Sequence, residues 1–227
     1  MASPTERRPL TRELVLMAAM RLADAEGLEA VTMRRLASSL GVEAMSLYHH
    51  LSGKEGLLNG LVEALLGHIR AEIDRLDEGD EWRAALRARC LAARRVILQH
   101  PWGPALISSR STIPPSVYVH FEDVLAQMVR GGFSYRLAHR GLHALGSMVL
   151  GFTQELFTPA GGGEEADAEV ERQLAAMGKA LPHLTAMVAT ELHSVADPTL
   201  GWCDSQVEFE FTLDLLLDGL ERAKVTH

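Results

Sequence analysis

Arg34, Glu43, Ala44, Met45, Ser46, Tyr48, His49, His50 and Lys54 crowd cationic, hydroxyl-bearing and small apolar side chains into one short stretch near the start of the chain. Guanidinium and ammonium groups suit phosphate, hydroxyls bond phosphate or base edges, and Ala44 and Met45 suit the methyl groups of thymine. The chemistry these residues imply is recognition of double-stranded DNA. Enzymatic signatures are missing: the chain has no Gly-rich nucleotide loop, no nucleophile elbow and no His-Glu-x-x-His motif. Gly161-Gly162-Gly163 falls in the acidic segment Thr158 to Glu171 with no strand before it, so it reads as a loop rather than a phosphate cradle. His139 and His143 stand four apart on a helical pattern, but no third ligand follows at matching spacing. They are read as solvated or core histidines, and neither a metal nor a cofactor is expected.

Side chains that read DNA need a rigid support, and the flanking pattern supplies one. Apolar residues recur at three and four from Leu10 through Leu22, with Thr11 as N-cap, which predicts a first helix. Thr32 caps a second helix that stops at Leu40-Gly41, where glycine permits a left-handed backbone. A short third helix over Glu43 to His50 ends before Ser52-Gly53, and a long fourth runs from Lys54 to Leu76. Leu36, Leu40, Val42 and Leu47 point inward, Ala37 sits at the crossing and Gly41 in the turn, which is the spacing of a helix-turn-helix. Leu47 and Leu51 anchor the third helix and leave its other face to the major groove.

Beyond Asp80 the pattern stays helical over Glu81 to His100, Pro114 to Gly131, Ser134 to Phe157, Pro182 to Ser194 and Asp204 to Lys224, punctuated by prolines. No strand-like alternation and no long internal repeat is present, so the expected class is all-α. Residues 1–54 form the helix-turn-helix head and residues 55–227 a helical effector-binding and dimerisation domain. The formal charge is -8, yet residues 1–54 carry a net +1. A near-neutral head can meet DNA while the acidic body stays off it. The cysteines, Cys90 and Cys203, lack metal spacing and fit a reducing cytoplasm as small buried apolar residues. No apolar stretch approaches membrane-spanning length, and no signal-peptide pattern follows Arg7 and Arg8, so a cytoplasmic protein with no membrane partner is expected.

Leu40-Gly41-Val42, followed by Leu47-Tyr48-His49-His50-Leu51 and Lys54, resembles the head of the tetracycline-repressor (TetR) family. Trp82, Gly131-Gly132-Phe133-Ser134, Leu150-Gly151 and the run from Phe209 to Glu221 are similar to the C-terminal domain of that family's tetracycline-responsive members. The resemblance implies a homodimer of Ω-shaped outline, palindromic operators and release of DNA by a small-molecule effector. It also implies that the Lys54 to Leu76 helix carries movement from the core, and that the Pro101 to Pro114 segment shifts first.

Two further readings concern the partner copy and the ligand. Phe209, Leu213, Leu216, Leu217 and Leu220 form one helical stripe, while Phe211 and Leu215 form a second on another side. One monomer core does not easily cover both. Gly141, Ala144, Gly146, Ser147 and Gly151 keep the Ser134 to Phe157 helix slim, so the two helices are expected to pair with their symmetry mates in a four-helix bundle. The expected interface is Gly141, Ala144, Ser147, Phe209, Leu213, Leu216, Leu217 and Leu220. By helical position and by matching to the family, the effector pocket is expected to draw on Arg70, Arg89, Trp102, Leu106, Arg110, Phe121, Val124, Met128, Met148, Phe152 and Glu155. Tetracycline-responsive members hold the drug and its magnesium through histidine, asparagine, glutamine and glutamate. The matched positions here are Arg70, Arg89, Leu106 and Val124, and only Glu155 is in keeping, so the effector is expected to differ from magnesium-tetracycline. Arg70 and Arg89, if they face the cavity, would suit an anionic or carbonyl-rich molecule.

Overall fold

The structure, a computed structural model, describes residues 9–76, 81–152 and 205–226, with isolated positions between 172 and 186. The described residues are all-α, with no strand among them. The helices are α1 (Arg12–Glu26), α2 (Met33–Leu40), α3 (Ala44–Leu47), α4 (Gly53–Ile73), α5 (Trp82–Gln99), α6 (Gly103–Ser108), α7 (Pro115–Arg130), α8 (Tyr135–Gly151) and, among the described residues, α9 (Ser205–Thr226). The chain divides into two compact units, Met1–Thr153 with Leu220–His227, and Gln154–Gly219.

Local chemistry explains most boundaries in the first unit. Thr11 accepts from the Leu14 N–H at 3.2 Å, Thr32 from Arg35 N–H at 3.3 Å and Ser134 from Leu137 N–H at 3.3 Å, each satisfying an orphan donor at a helix start. Glu81 does the same for α5, taking the N–H groups of Arg83 and Ala84 at 3.1 and 2.7 Å. Two expectations change. The third helix is a single turn, Ala44–Leu47, rather than Glu43 to His50. Its ladder then loosens into turns, with Leu51 N–H still bonded to the Leu47 carbonyl at 2.9 Å. The Pro101 to Pro114 segment is not mere punctuation, because it holds α6, which Pro104 starts from a position where its missing N–H costs nothing.

One hydrophobic core joins α1, α2 and α3 to the first half of α4: Val15, Leu16, Ala19, Leu36, Leu47, Leu57 and Leu61 are buried in it. Packing therefore continues past residue 54 into α4. Further along, Gly141 of α8 is buried, and a Cβ there would collide with the terminal methyl of Met128 on α7. Its slimness serves the chain's own α7–α8 packing, so Gly141 is removed from the expected dimer interface. Ser147 remains exposed and Ala144 is half-buried.

On α9, Phe209, Leu213, Leu217 and Leu220 are buried within the chain and Leu216 is half-buried. The first four are thus corrected from interface to core, since a side chain already enclosed has no surface to offer a partner. The opposite face carries Val207, Phe211 and Leu215, exposed at 59, 61 and 52%. The expected helix over Pro182 to Ser194, the Thr158 to Glu171 loop, Cys203 and Glu155 lie wholly or largely outside the described residues. Among the described residues no helix is long and apolar enough to cross a membrane.

Candidate nucleic-acid interface and the core behind it

The turn between α2 and α3 is fixed by backbone chemistry. Gly41 sits at φ +65°, Val42 N–H donates to the Ala37 carbonyl at 3.0 Å, and Gly41 N–H donates to the Ser38 carbonyl at 3.2 Å. This paired arrangement closes α2 and redirects the chain, and it needs a residue that tolerates left-handed backbone. Leu36 and Leu47 are fully buried on either side of the turn, and Leu51 follows them into the core. With its inner side so committed, α3 presents Met45, exposed at 72%, and Tyr48, exposed at 51%, to solvent. Glu43 and His49 are exposed beside them, while Ala44, Ser46 and His50 are half-buried.

Charge is distributed unevenly around this face. Arg12 pairs with Glu63 at 2.6 Å, and Arg35 pairs with Glu26. Arg34 and Lys54 are exposed and carry no ion pair among the described residues, which leaves two cations open to an external anion. Lys54 lies in the first turn of α4, where free N–H groups and the helix dipole also favour negative charge. The face can hold a phosphate backbone and bring short side chains to a groove floor.

Behind the head lies a polar joint that the sequence reading missed. Asp24 on α1 accepts two hydrogen bonds on one oxygen, from Trp102 Nε1 at 2.7 Å and His100 Nδ1 at 2.7 Å. His100 and Trp102 are buried, and the His68 ring of α4 stands 5.5 Å from that of His100. Burial lowers the pKa of His68 below the ordinary imidazole value, with the charge of His100 adding to the effect and Asp24 opposing it. Trp102 and Leu106, expected in the effector pocket, belong instead to the core shared with α1–α4, so α6 is packed directly onto the head.

The remaining expected pocket residues divide. Arg70 of α4 donates from Nε to Asp74 at 3.1 Å, and its Nη1 pairs with Asp123 of α7. Its charge is already answered by two carboxylates, so it does not offer a bare guanidinium to an anionic ligand. His120, one turn before Val124 on α7, lies in the field of Arg70, Arg89 and Asp123. Its pKa is lowered by burial first and by Arg89 next, with Asp123 acting in the other direction. Sequence reasoning passed over His120, although its spacing of four from Val124 places the two on one face of a helix. Val124 and Met128 are buried, and Phe121, Met148 and Phe152 are half-buried. Arg110 points the other way, bonding Glu55 at 2.9 Å and Asn59 at 3.4 Å at the start of α4. It is a link between α4 and the end of α6 more than a pocket wall. Cys90 is a buried apolar residue as expected, its thiol pushed up to about 12 by burial and so inert.

Comparison with known proteins adds the following. Residues 15–61 match the family of bacterial regulatory proteins described as tetR family, and residues 76–224 match the tetracyclin repressor-like C-terminal domain. An HTH-type transcriptional regulator of Saccharopolyspora erythraea is 36% identical over 124 residues, an alignment covering 55% of this chain and 51% of that relative. The class C tetracycline repressor protein of Escherichia coli is 31% identical over 220 residues, covering 96% of this chain and 93% of that one. Among solved structures, the Streptomyces coelicolor TetR family protein ActR in complex with (S)-DNPA is similar at a TM-score of 0.71 and 25% identity, covering 96% of this chain and all (100%) of that chain. The first of these is named as a transcriptional regulator and the second as a repressor.

Proposed function

Because the chain belongs to the TetR family of bacterial regulatory proteins, we propose that two copies of it bind a palindromic operator and are released by a small molecule other than magnesium-tetracycline. Family membership makes it a helix-turn-helix, DNA-binding transcriptional regulator. The observation that carries the rest is the head: a rigid turn at Gly41 that presents Met45, Tyr48 and His49 outward, flanked by the exposed cations Arg34 and Lys54, which carry no ion pair among the described residues. Arg34, Glu43, Ala44, Met45, Ser46, Tyr48, His49, His50 and Lys54 make up the proposed DNA surface. Repression is the mode the class C relative's name supports.

Dimerisation is supported by the α9 stripe of Val207, Phe211 and Leu215, three large apolar side chains in a row that solvent alone would cover poorly. A two-fold axis would then set two heads roughly 34 Å apart, one turn of B-DNA. The choice of effector rests on Val124: by the matching to the family, this buried aliphatic side chain, one turn after His120, stands where tetracycline-responsive members supply a polar group, and it can neither hydrogen-bond the drug nor coordinate magnesium. That ActR holds (S)-DNPA favours an organic small molecule. Arg89, His120, Asp123 and Val124 are the proposed neighbours of that molecule, and α6, packed on the head, is the proposed carrier of its effect. Effector and DNA must then weaken each other by the same factor.

Selection of bound genomic fragments tests this reading. The expected product is an inverted repeat preferred over its scrambled form, with the complex unaffected by tetracycline plus magnesium. Recovery of fragments without inverted symmetry, or release by magnesium-tetracycline, would contradict it.

A further inference from the structure

We propose that Arg110 is a positioning residue for DNA binding: it holds and neutralises Glu55 in the first turn of α4, so that Lys54 and the start of that helix meet phosphate without a competing negative charge. The inference rests on the DNA-binding reading above and adds the residue that keeps its phosphate face cationic. Arg110 Nη1 donates to Glu55 Oε2 at 2.9 Å and to Asn59 Oδ1 at 3.4 Å, so one guanidinium grips successive turns on one face of α4. The two charged partners differ in solvation, the Arg110 side chain being 12% exposed and that of Glu55 72%. Arg110 Nε is enclosed and has no acceptor among the described residues, so the hydrogen bonds that hold the guanidinium in place run to α4.

The support behind Arg110 is rigid. Leu106 is buried in the core of the head and Ile107 packs against it. The N–H groups of Ser109 and Arg110 then close the end of α6 on the Ala105 and Ile107 carbonyls, at 3.1 and 3.3 Å. Charge along the first three turns of α4 follows one rule. The acids there are Glu55 and Glu63, and each is taken by an arginine from another element, Arg110 from the end of α6 and Arg12 from α1. Lys54 stands one residue before Glu55, is exposed, and carries no ion pair among the described residues. A carboxylate released beside it would cancel its charge and repel phosphate at short range, an effect that salt weakens. Any shift of the end of α6 away from α4 parts the pair and bares Glu55, which gives the packing of α6 on the head an electrostatic route to the DNA.

Full-length protein is titrated onto fluorescent duplexes at low and high salt, using both the duplex recovered by selection and a scrambled form of it. The variants are Arg110→Gln, Arg110→Lys, Glu55→Gln and the double variant Arg110→Gln/Glu55→Gln. Arg110→Gln should weaken binding to both duplexes about tenfold at low salt and less at high salt, because a carboxylate is unmasked on each of two heads. Arg110→Lys keeps the charge and should keep most of the affinity. Glu55→Gln should tighten binding, since the Arg110 charge is then unopposed, and this solvated position keeps the test open if Arg110→Gln lowers the melting temperature. The double variant should return to wild-type affinity. A double variant as weak as Arg110→Gln, or weaker binding by Glu55→Gln, would overturn the proposal, since Arg110 would then act through a contact other than Glu55. Equal wild-type affinity for the two duplexes with the rescue intact would strike the operator reading and leave the proposal standing. A wild type that binds neither duplex would overturn both.

Discussion

Gly41 and Lys54 show how much single residues decide in the head. Gly41 holds φ +65°, and any β-carbon there strains the backbone while leaving the surrounding space open. Gly41→Ala should cost about 1–2 kcal/mol in urea unfolding, because the penalty is conformational rather than steric crowding by neighbours. Lys54 is an exposed charge with no ion pair among the described residues, so Lys54→Ala should leave stability near wild type. Operator affinity should fall for all sequences, and the slope of log affinity against log salt should drop by about one. A strained turn and inward leucines can be read from sequence, because local rules fix them. Which of Arg34 and Arg35 finds an acidic partner among the described residues cannot, since Glu26, which takes Arg35, is chosen by the fold.

At the scale of elements, the junction between α1, α4 and α6 matters most, and it was the least legible part. Prolines around residues 101–115 looked like breaks, yet Pro104 opens a helix, and the carboxylate that fixes the segment lies far upstream on α1. No local pattern links Asp24 to His100 and Trp102. Asp24→Ala should leave two buried donors without an acceptor and cost about 1–3 kcal/mol in denaturant unfolding, while Asp24→Asn keeps an acceptor oxygen and should recover most of it. The pH response belongs to this scale as well. His68 and His120 both have folded-state pKa values below the ordinary imidazole value, so folding favours their neutral forms. Their contribution to stability is complete above about pH 6.5 and is lost as the pH falls below it towards the depressed folded values. Melting curves between pH 8 and pH 5 should show this decline, and His120→Gln should make it shallower. An unchanged slope in that variant would remove His120 from the explanation.

The whole molecule depends on a surface that one chain leaves open. Two apolar stripes on the last helix were visible in the sequence, but which stripe turns inward depends on tertiary packing that periodicity does not report. Burial of Phe209, Leu213 and Leu217 assigns the inner one to the chain itself, and Phe211 and Leu215 remain outside. Phe211→Glu should place charge in the proposed contact, shift sedimentation towards monomer and weaken operator binding on the order of 10²-fold, as the second head loses its tether. The most direct test of the paired-head account is the mass of the complex on the selected inverted repeat, read by analytical ultracentrifugation alongside a duplex with half a helical turn inserted between its halves. The account predicts two chains per intact repeat and a large loss of affinity on insertion. One chain per duplex, bound as tightly to an isolated half as to the whole, would contradict it.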